Sequence, residues 1–272
     1  RVFAAEIRLE TLKVIASRGF GHVGGSMSMA DAMAVLYGAV MHIDPKNPRW
    51  EDRDWFVLSK GHSMEAYYAV LCAKGFLDLD DVKKNFSKFG SKYIGHPNNK
   101  LPGIEMNSGS LGLGLPVCVG MALAGKMDGK DYRVYTVMGD GELAEGSVWE
   151  AAMSATQFHL DNLCAVVDRN HLQISGCTEE VMHQDSLQER WASFGWNVIC
   201  VDGHDYSAIA KAFADARACK GKPTILIAET IKGFGSSVME NKAGWHHHVP
   251  TQEEYNQIIA DFAARKEAAL HE

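Results

Sequence analysis

Gly139-Asp140-Gly141 and, 30 residues further on, Asn170 are the residues whose types and spacing most directly imply chemistry. A carboxylate, a side-chain amide and a backbone carbonyl such as that of Leu172 make an all-oxygen donor set suited to Mg²⁺, whose other positions would go to phosphate oxygens and water. Gly141 lets the main chain approach a phosphate closely, and the N-terminus of the helix expected after it favours negative charge. Gly-Asp-Gly by itself also makes an ordinary tight turn. The downstream Asn strengthens the functional reading, because 30 residues leave room for one crossover helix between two parallel strands.

The elements that must position these residues follow from hydrophobic patterning. Residues 134–138 form an apolar, β-branched run that stops at Gly-Asp-Gly, and Leu143, Val148, Ala151, Ala152 and Ala155 continue at helical spacing. Residues 163–167 form a second run ending in Asp168 and Asn170. Further strands are expected at 55–58, 198–201 and 225–228. Helices are expected over 3–18, from Ser28 onward, over 63–74, 79–86 and 206–219, and over 252–268 at the end. Strands alternating with helices predict an α/β fold, a doubly wound and mainly parallel sheet with helices on both faces, in one domain over 1–272. Asp202-Gly203-His204-Asp205 reads as a turn and helix cap. Residues 87–112 break every period, with Pro97, Pro102 and five glycines. So long an irregular connection in a compact domain is usually functional, which makes it a candidate active-site loop.

Composition excludes several classes. The chain has 272 residues, 46% apolar and 22% charged, as in an ordinary globular protein. A net charge of −7 without a long basic stretch argues against nucleic acid. Six cysteines occur without a C-x-x-C pair, which argues for reduced thiols and against zinc. No run approaches the ~18 apolar residues of a membrane span and no signal-like apolar core opens the chain, so no membrane partner and a cytoplasmic location are expected.

Four of the twelve histidines fall at loop ends: His22 in Gly21-His22-Val23-Gly24-Gly25-Ser26, His62 after the 55–58 strand, His96 in the irregular segment, and His246 after the 225–228 strand. Strand ends on one edge of a parallel sheet converge, so these can line one cleft. Neutral or partly charged imidazoles there suit phosphate binding and proton shuttling on sugar hydroxyls. Glu145 and Glu150 follow Gly-Asp-Gly and would ordinarily be solvated. Gly109 to Gly114 reads G-x-x-G-x-G with no apolar strand before it, which rejects a dinucleotide site.

Together these blocks resemble the transketolase family, specifically its N-terminal, thiamine diphosphate-binding domain, over residues 5–250. The carriers are Gly-His-x-Gly-Gly at 21–25, Asp-Arg-Asp-Trp-Phe-Val-Leu-Ser-Lys-Gly-His at 52–62, Ile-Gly-His-Pro at 94–97, Leu-Pro-Gly at 101–103, Gly-Ser-Leu-Gly-Leu-Gly at 109–114, and the Gly-Asp-Gly and Asn170 pair. The resemblance implies that Asp140, Asn170 and the Leu172 carbonyl hold Mg²⁺, with Ca²⁺ or Mn²⁺ as substitutes. It implies that His62, Gly109, Leu111, Gly141, Glu142, Asn170 and His246 bind thiamine diphosphate. His22, His62, His96, His246 and Glu145 would serve catalysis, and Glu150 would join Glu145 in an acidic network between subunits. His246, after Trp245, best matches the family histidine, with His247 one residue away.

The implied activity is transfer of a two-carbon ketol unit from a ketose phosphate to an aldose acceptor. The chain departs from the family at Val23, usually Pro, and at Met64 and Glu65, where Gly-Pro-Ala is usual; both border the expected pocket and bear on the sugar. The family's pyrimidine-binding domain has no counterpart here and is expected on a separate C-terminal subunit, in an α2β2-like assembly. Two alternatives stand beside this reading. One is a transketolase-like subunit that takes an unusual ketose, branched such as apulose 4-phosphate or sulfonated. The other is a non-catalytic binding or regulatory subunit that retains the fold.

Overall fold

The computed structural model describes residues 1–184 and 186–271. Helix α1 (Val2–Arg18) ends at Gly19, whose left-handed φ of 61° turns its N–H onto the Ile15 carbonyl. Helices α2 (Val23–Ser28) and α3 (Ala30–Val35) follow and run into a π-helical turn at Leu36–Val40. Then come β1 (Trp55–Leu58), α4 (Met64–Ala73), α5 (Leu79–Asn85), the irregular segment and α6 (Gly114–Met127). The central unit is β2 (Val134–Gly139), α7 (Gly146–Gln157) and β3 (Leu163–Arg169). A small hairpin of β4 (Leu172–Gln173) and β5 (Gly176–Cys177) leads to α8 (Thr178–Val181) and α9 (Leu187–Ser193). The chain then forms β6 (Asn197–Asp202), α10 (Tyr206–Ala218), β7 (Thr224–Glu229) and α11 (Gln252–Leu270), which starts with a Thr251/Glu254 capping box.

The five long strands pair in parallel in the order β1-β2-β3-β7-β6, confirming the α/β reading. Every strand therefore delivers its C-terminal end to the same edge. The chain skips from β3 to the outer strand β6 and returns to fill the gap with β7, which places a topological switch point between β3 and β7. Side chains alternate across the sheet. Tyr135, Val137, Cys164, Val166, Leu226 and Ala228 join a core with α1, α3, α4, α5 and α10. Val134, Met138, Leu163, Ala165, Val167, Ile225 and Ile227 join one with α6, α7 and α9. A third cluster, including Leu12, Ile15, Trp245 and Phe262, packs α11 and the 239–245 region against α1. No helix among the described residues is long and apolar enough to cross a membrane.

Three local expectations are corrected. The glycine-rich 21–26 segment is helical from Val23 to Ser28, and the helix expected from Ser28 begins instead at Ala30. Its glycines serve close packing: a Cβ on Gly24 would lie 2.7 Å from the Trp245 carbonyl and 3.1 Å from the Lys232 side chain. Helix α6 was not expected, because Gly114, Gly120 and Gly125 lower helix propensity along it. Burial of Leu115, Cys118, Val119 and Ala122 on one face compensates. Gly-Asp-Gly leads first into a 3₁₀ turn, Gly141–Ala144, and only then into α7.

Candidate active site

Four neighbouring strand ends build the site. β1 feeds Ser59, Lys60 and the 3₁₀ turn carrying His62; β2 ends in Gly139 and Asp140; β3 leads to Asp168 and Asn170; β7 leads to Thr230 and Lys232. A buried network ties them together. The Asp168 carboxylate accepts from Lys60 Nζ at 2.5 Å, Ser28 Oγ at 2.6 Å and Thr230 Oγ1 at 2.5 Å. Burial alone would raise this carboxyl, but the Lys60 ammonium and the two hydroxyls outweigh it and hold Asp168 below its ordinary range.

The expected oxygen donors are brought to adjoining strand ends. Asp140 is buried and accepts from the backbone N–H of Gly141 at 2.8 Å and of His171 at 2.6 Å. Burial, then the nearby Asp168 charge, pushes its carboxyl up to about 6 against the pull of two backbone N–H groups and of Lys60. Asn170 Nδ2 lies 3.3 Å from Ser28 Oγ and 3.4 Å from Asp168 Oδ2, which fixes the amide's orientation and leaves Oδ1 toward the Leu172 N–H at 3.2 Å. The Leu172 carbonyl already accepts from a cation, the Lys232 ammonium, at 3.1 Å. A carboxylate, an amide oxygen and a carbonyl oxygen fit a hard cation such as Mg²⁺ or Ca²⁺. Among the described residues no cluster of three His, Cys, Asp or Glu side chains offers a zinc-type centre.

The loop-end histidines also converge. Ring centroids lie 5.3 Å apart for His22 and His62, 6.2 Å for His22 and His96, 5.6 Å for His22 and His246, and 5.0 Å for His62 and His246. His247 joins them, 4.6 Å from His22, so both His246 and its neighbour line the cluster. They face different surroundings: His246 Nδ1 lies 3.1 Å from Lys232 Nζ, whereas His247 stacks edge-on against Phe20. Burial, reinforced by neighbouring imidazoles and by Lys232, lowers His22 to about 4. Burial and Lys232 bring His246 to about 3. Burial and Lys60 push His62 far below its ordinary range, and burial also lowers His96. These rings are neutral near pH 7 and can accept hydrogen bonds from hydroxyls. Lys232 is itself buried, which lowers its ammonium to about 8.

The irregular 87–112 segment closes against this edge. A Cβ on Gly61 would lie 2.6 Å from Ser108 Oγ and 3.2 Å from the Gly109 nitrogen, and one on Gly109 would lie 3.2 Å from His96 Cδ2. Gly109 thus adjoins the histidines, with Leu111 two residues on. Asn107 Oδ1 accepts the Asn99 N–H at 2.9 Å and closes the 99–107 stretch on itself. Glu142 turns inward: its carboxylate accepts from Ser59 Oγ, from the Gly112 N–H at 2.9 Å and from the Gly139 N–H at 3.0 Å. Any part it plays toward a ligand falls to its backbone. Glu145 and Glu150 are exposed at the start and on the surface of α7, apart from the histidine cluster's hydrogen bonds and ring contacts.

Residues 1–267 match the family described as "Transketolase, thiamine diphosphate binding domain". The chain belongs to the transketolase family. Its relatives include an apulose-4-phosphate transketolase subunit from Phocaeicola vulgatus, 46% identical over 96% of this chain and 92% of that protein. They also include the 6-deoxy-6-sulfo-D-fructose transketolase subunit SqwG of Clostridium sp. (strain MSTE9), 42% identical over 94% and 93%. The solved transketolase from Leishmania mexicana superposes with a TM-score of 0.90 at 33% identity, covering 96% of this chain and 41% of that one. This chain is thus the thiamine diphosphate-binding part of a transketolase-type enzyme. Motif reading passed over several residues of this buried network: Lys60, Lys232, Ser28 and Thr230, and Gln184, whose Nε2 donates to the Asp140 carbonyl at 2.7 Å. Lys60 lay in plain view between Ser59 and His62, and Lys232 three residues beyond a strand end.

Proposed function

We propose that this chain supplies the metal- and diphosphate-binding half of a two-chain transketolase that moves a two-carbon ketol unit from a ketose phosphate to an aldose acceptor. The observation that supports the reading is that Asp140 accepts the N–H of His171, between Asn170 and Leu172, while the Leu172 carbonyl and His246 share the Lys232 ammonium. Asp140, Asn170 and Leu172 would hold Mg²⁺, for which Ca²⁺ or Mn²⁺ could substitute. The Gly141 and Glu142 backbone, Asn170, His62 and His246 would hold the diphosphate, with Lys232 as a further positive charge. Gly109 and Leu111 would flank the cofactor. Thiamine diphosphate, when bound, supplies the electron sink for breaking the donor's C2–C3 bond. His22 and His96 would orient the sugar hydroxyls or shuttle their protons, and His62 and His246, besides reaching the diphosphate, would line the donor sugar. Glu145, exposed at the start of α7, would act with Glu150 at a contact between chains.

Residues 1–272 are read as one domain, with the pyrimidine-binding domain on a separate subunit in an α2β2-like complex of the cytoplasm. The two relatives named as transketolase subunits, each matched over more than nine-tenths of its length, support the divided arrangement.

An unusual ketose donor is the second reading. Those same relatives are named for apulose 4-phosphate and for a sulfonated fructose, and Glu65, one of the positions where the family resemblance breaks, accepts the His22 N–H. The test is a two-carbon transfer assay on this chain co-expressed with its partner subunit, given thiamine diphosphate and Mg²⁺. Sedoheptulose 7-phosphate formed from xylulose 5-phosphate and ribose 5-phosphate only by the pair would support the first reading. Transfer only from branched or sulfonated ketoses would support the second, and a complex that fails to bind the cofactor would overturn both.

A further inference from the structure

Glu65 occupies the first turn of α4, where a carboxylate is normally exposed, ionised and favoured by the helix dipole. Here it is fully buried, at 0% exposure. Its Oε1 lies 3.3 Å from the backbone N–H of His22, which donates to it, and its Oε2 has no hydrogen-bond partner. The approach depends on Gly21: at φ +148°, a Cβ there would lie 2.7 Å from Glu65 Oε1. The carboxyl therefore fills the space beside the residue that introduces α2 and carries the His22 ring into the cluster.

Among the described residues no cation offsets this burial. The Gly21–His22 turn presents only the His22 imidazole, lowered to about 4, and α1 presents the apolar Ile15. On its own helix Tyr68 is close enough to feel the Glu65 charge, but its hydroxyl is spent on the Ile94 carbonyl. The charges near α4 from α1 and α5, Glu10, Asp78 and Lys83, sit by Cys72 at its far end, and Asp31 of α3 is paired with Arg8. Burial raises the Glu65 carboxyl to about 8 against the pull of two backbone N–H groups, its own and that of His22.

Resting on the transketolase reading above, we propose that Glu65 acts as the uncharged acid to anchor the His22 turn, a positioning residue whose proton keeps His22 in place within the histidine cluster. Loss of that proton puts a bare charge in an apolar site beside His22. The carboxylate must then seek solvent or a cation, and the turn it anchors moves with it.

The test compares wild type with Glu65→Gln, which stays neutral and keeps an acceptor for the His22 N–H, and with Glu65→Ala, which removes the acceptor. In the assembled two-chain enzyme, wild-type kcat/KM should fall above pH 8, by about tenfold per unit for loss of one essential proton. Lys232, lowered to about 8, contributes to the same limb, so Glu65→Gln should fall less steeply above pH 8 than wild type, and Glu65→Ala should be slower at every pH. Superimposable wild-type and Glu65→Gln profiles would overturn the positioning role.

Melting temperature gives a second readout that needs no turnover. The unfolded carboxyl ionises near its ordinary value of 4.5 and the folded one near 8, so wild type loses stability as pH rises between them. The melting temperature of Glu65→Gln should therefore exceed that of wild type by a margin that widens from pH 5 to pH 8; a constant margin would overturn the neutral acid. Complete absence of two-carbon transfer would fault the transketolase reading instead. Glu65 would then be judged by the melting margin and by the His22 ring signal in NMR, whose shift near pH 8 should be larger in wild type than in Glu65→Gln, where only Lys232 still titrates there.

Discussion

Lys60 and Asp168 form a buried ion pair, Nζ to Oδ2 2.5 Å, that joins the ends of β1 and β3 across the intervening strand β2. The pair flanks the Gly139-Asp140-Gly141 turn, so its strength bears on where Asp140 sits. Removing one partner would strand the other charge in the interior. Lys60→Met is expected to cost about 3–5 kcal/mol of stability, read by urea unfolding. A cost below about 1 kcal/mol would mean that water reaches Asp168 in solution and that the pair does not organise the edge.

Asp140 is displaced in the opposite sense. Its folded carboxyl, at about 6, lies above its ordinary value of 3.8, so it favours folding less and less as pH rises from about 4 to 6, and that loss persists at pH 7. Asp140→Asn should melt higher than wild type at pH 7 without metal, yet lose the stabilisation that Mg²⁺ with thiamine diphosphate gives wild type. In wild type the metal-dependent shift should weaken below pH 6 as protons compete for the carboxylate, which thermal melts at pH 5, 6 and 7 would reveal. An undiminished shift in Asp140→Asn would refute the metal assignment.

Lys232 has the Leu172 carbonyl and His246 Nδ1 as its hydrogen-bond partners, and no carboxylate among the described residues pairs with it. Its pKa is lowered to about 8 by burial, so its charge opposes folding below that pH and the opposition fades as pH rises above it. Lys232→Met should leave the fold as stable at pH 7 or more so. It should weaken thiamine diphosphate binding by roughly 10- to 100-fold, the loss of one charge-assisted hydrogen bond. Calorimetric titration decides: unchanged affinity would place the ammonium outside the diphosphate site.

The imidazoles of His62 and His246 should stay neutral well below the ordinary histidine range. In the cofactor-free protein their ring-proton NMR signals should not titrate between pH 8 and pH 5, because burial and the lysine ammoniums suppress protonation. A midpoint near 6.5 for either ring would show a wetter cluster than the packing implies.

The sheet was legible because β2, β3 and β7 are buried on both faces and read as unbroken apolar runs ending abruptly in polar residues. Asp140, Asn170 and the loop-end histidines could be found because chemistry of this kind concentrates at strand ends. Helix α6 escaped because Gly114, Gly120 and Gly125 look like loop residues until Tyr132 is seen lying where a Cβ on Gly125 would go. Lys60 and Lys232 escaped for another reason: a lysine in a sequence reads as solvated, and only the fold shows that these two are buried. The family resemblance named Glu142 for the cofactor, but that its carboxylate turns inward to Ser59, Gly112 and Gly139 is not written in the spacing of motifs.

The Asn107 side chain, by capturing the Asn99 N–H, makes 99–107 a self-closed loop, while the Glu142 carboxylate holds Gly112. The irregular segment is therefore held at several points along its length. Residues 108–112 are tied to the strand ends through Ser108, whose hydroxyl donates to the Leu58 carbonyl, and through Gly112, so they cannot change length independently of Gly-Asp-Gly. Within 99–107, Leu101 and Ile104 are buried in the core, the Tyr67 hydroxyl donates to the Gly103 carbonyl and Arg53 pairs with Glu105, so only the exposed Asn99 and Lys100 are left to vary in size without pulling on α4 and β1.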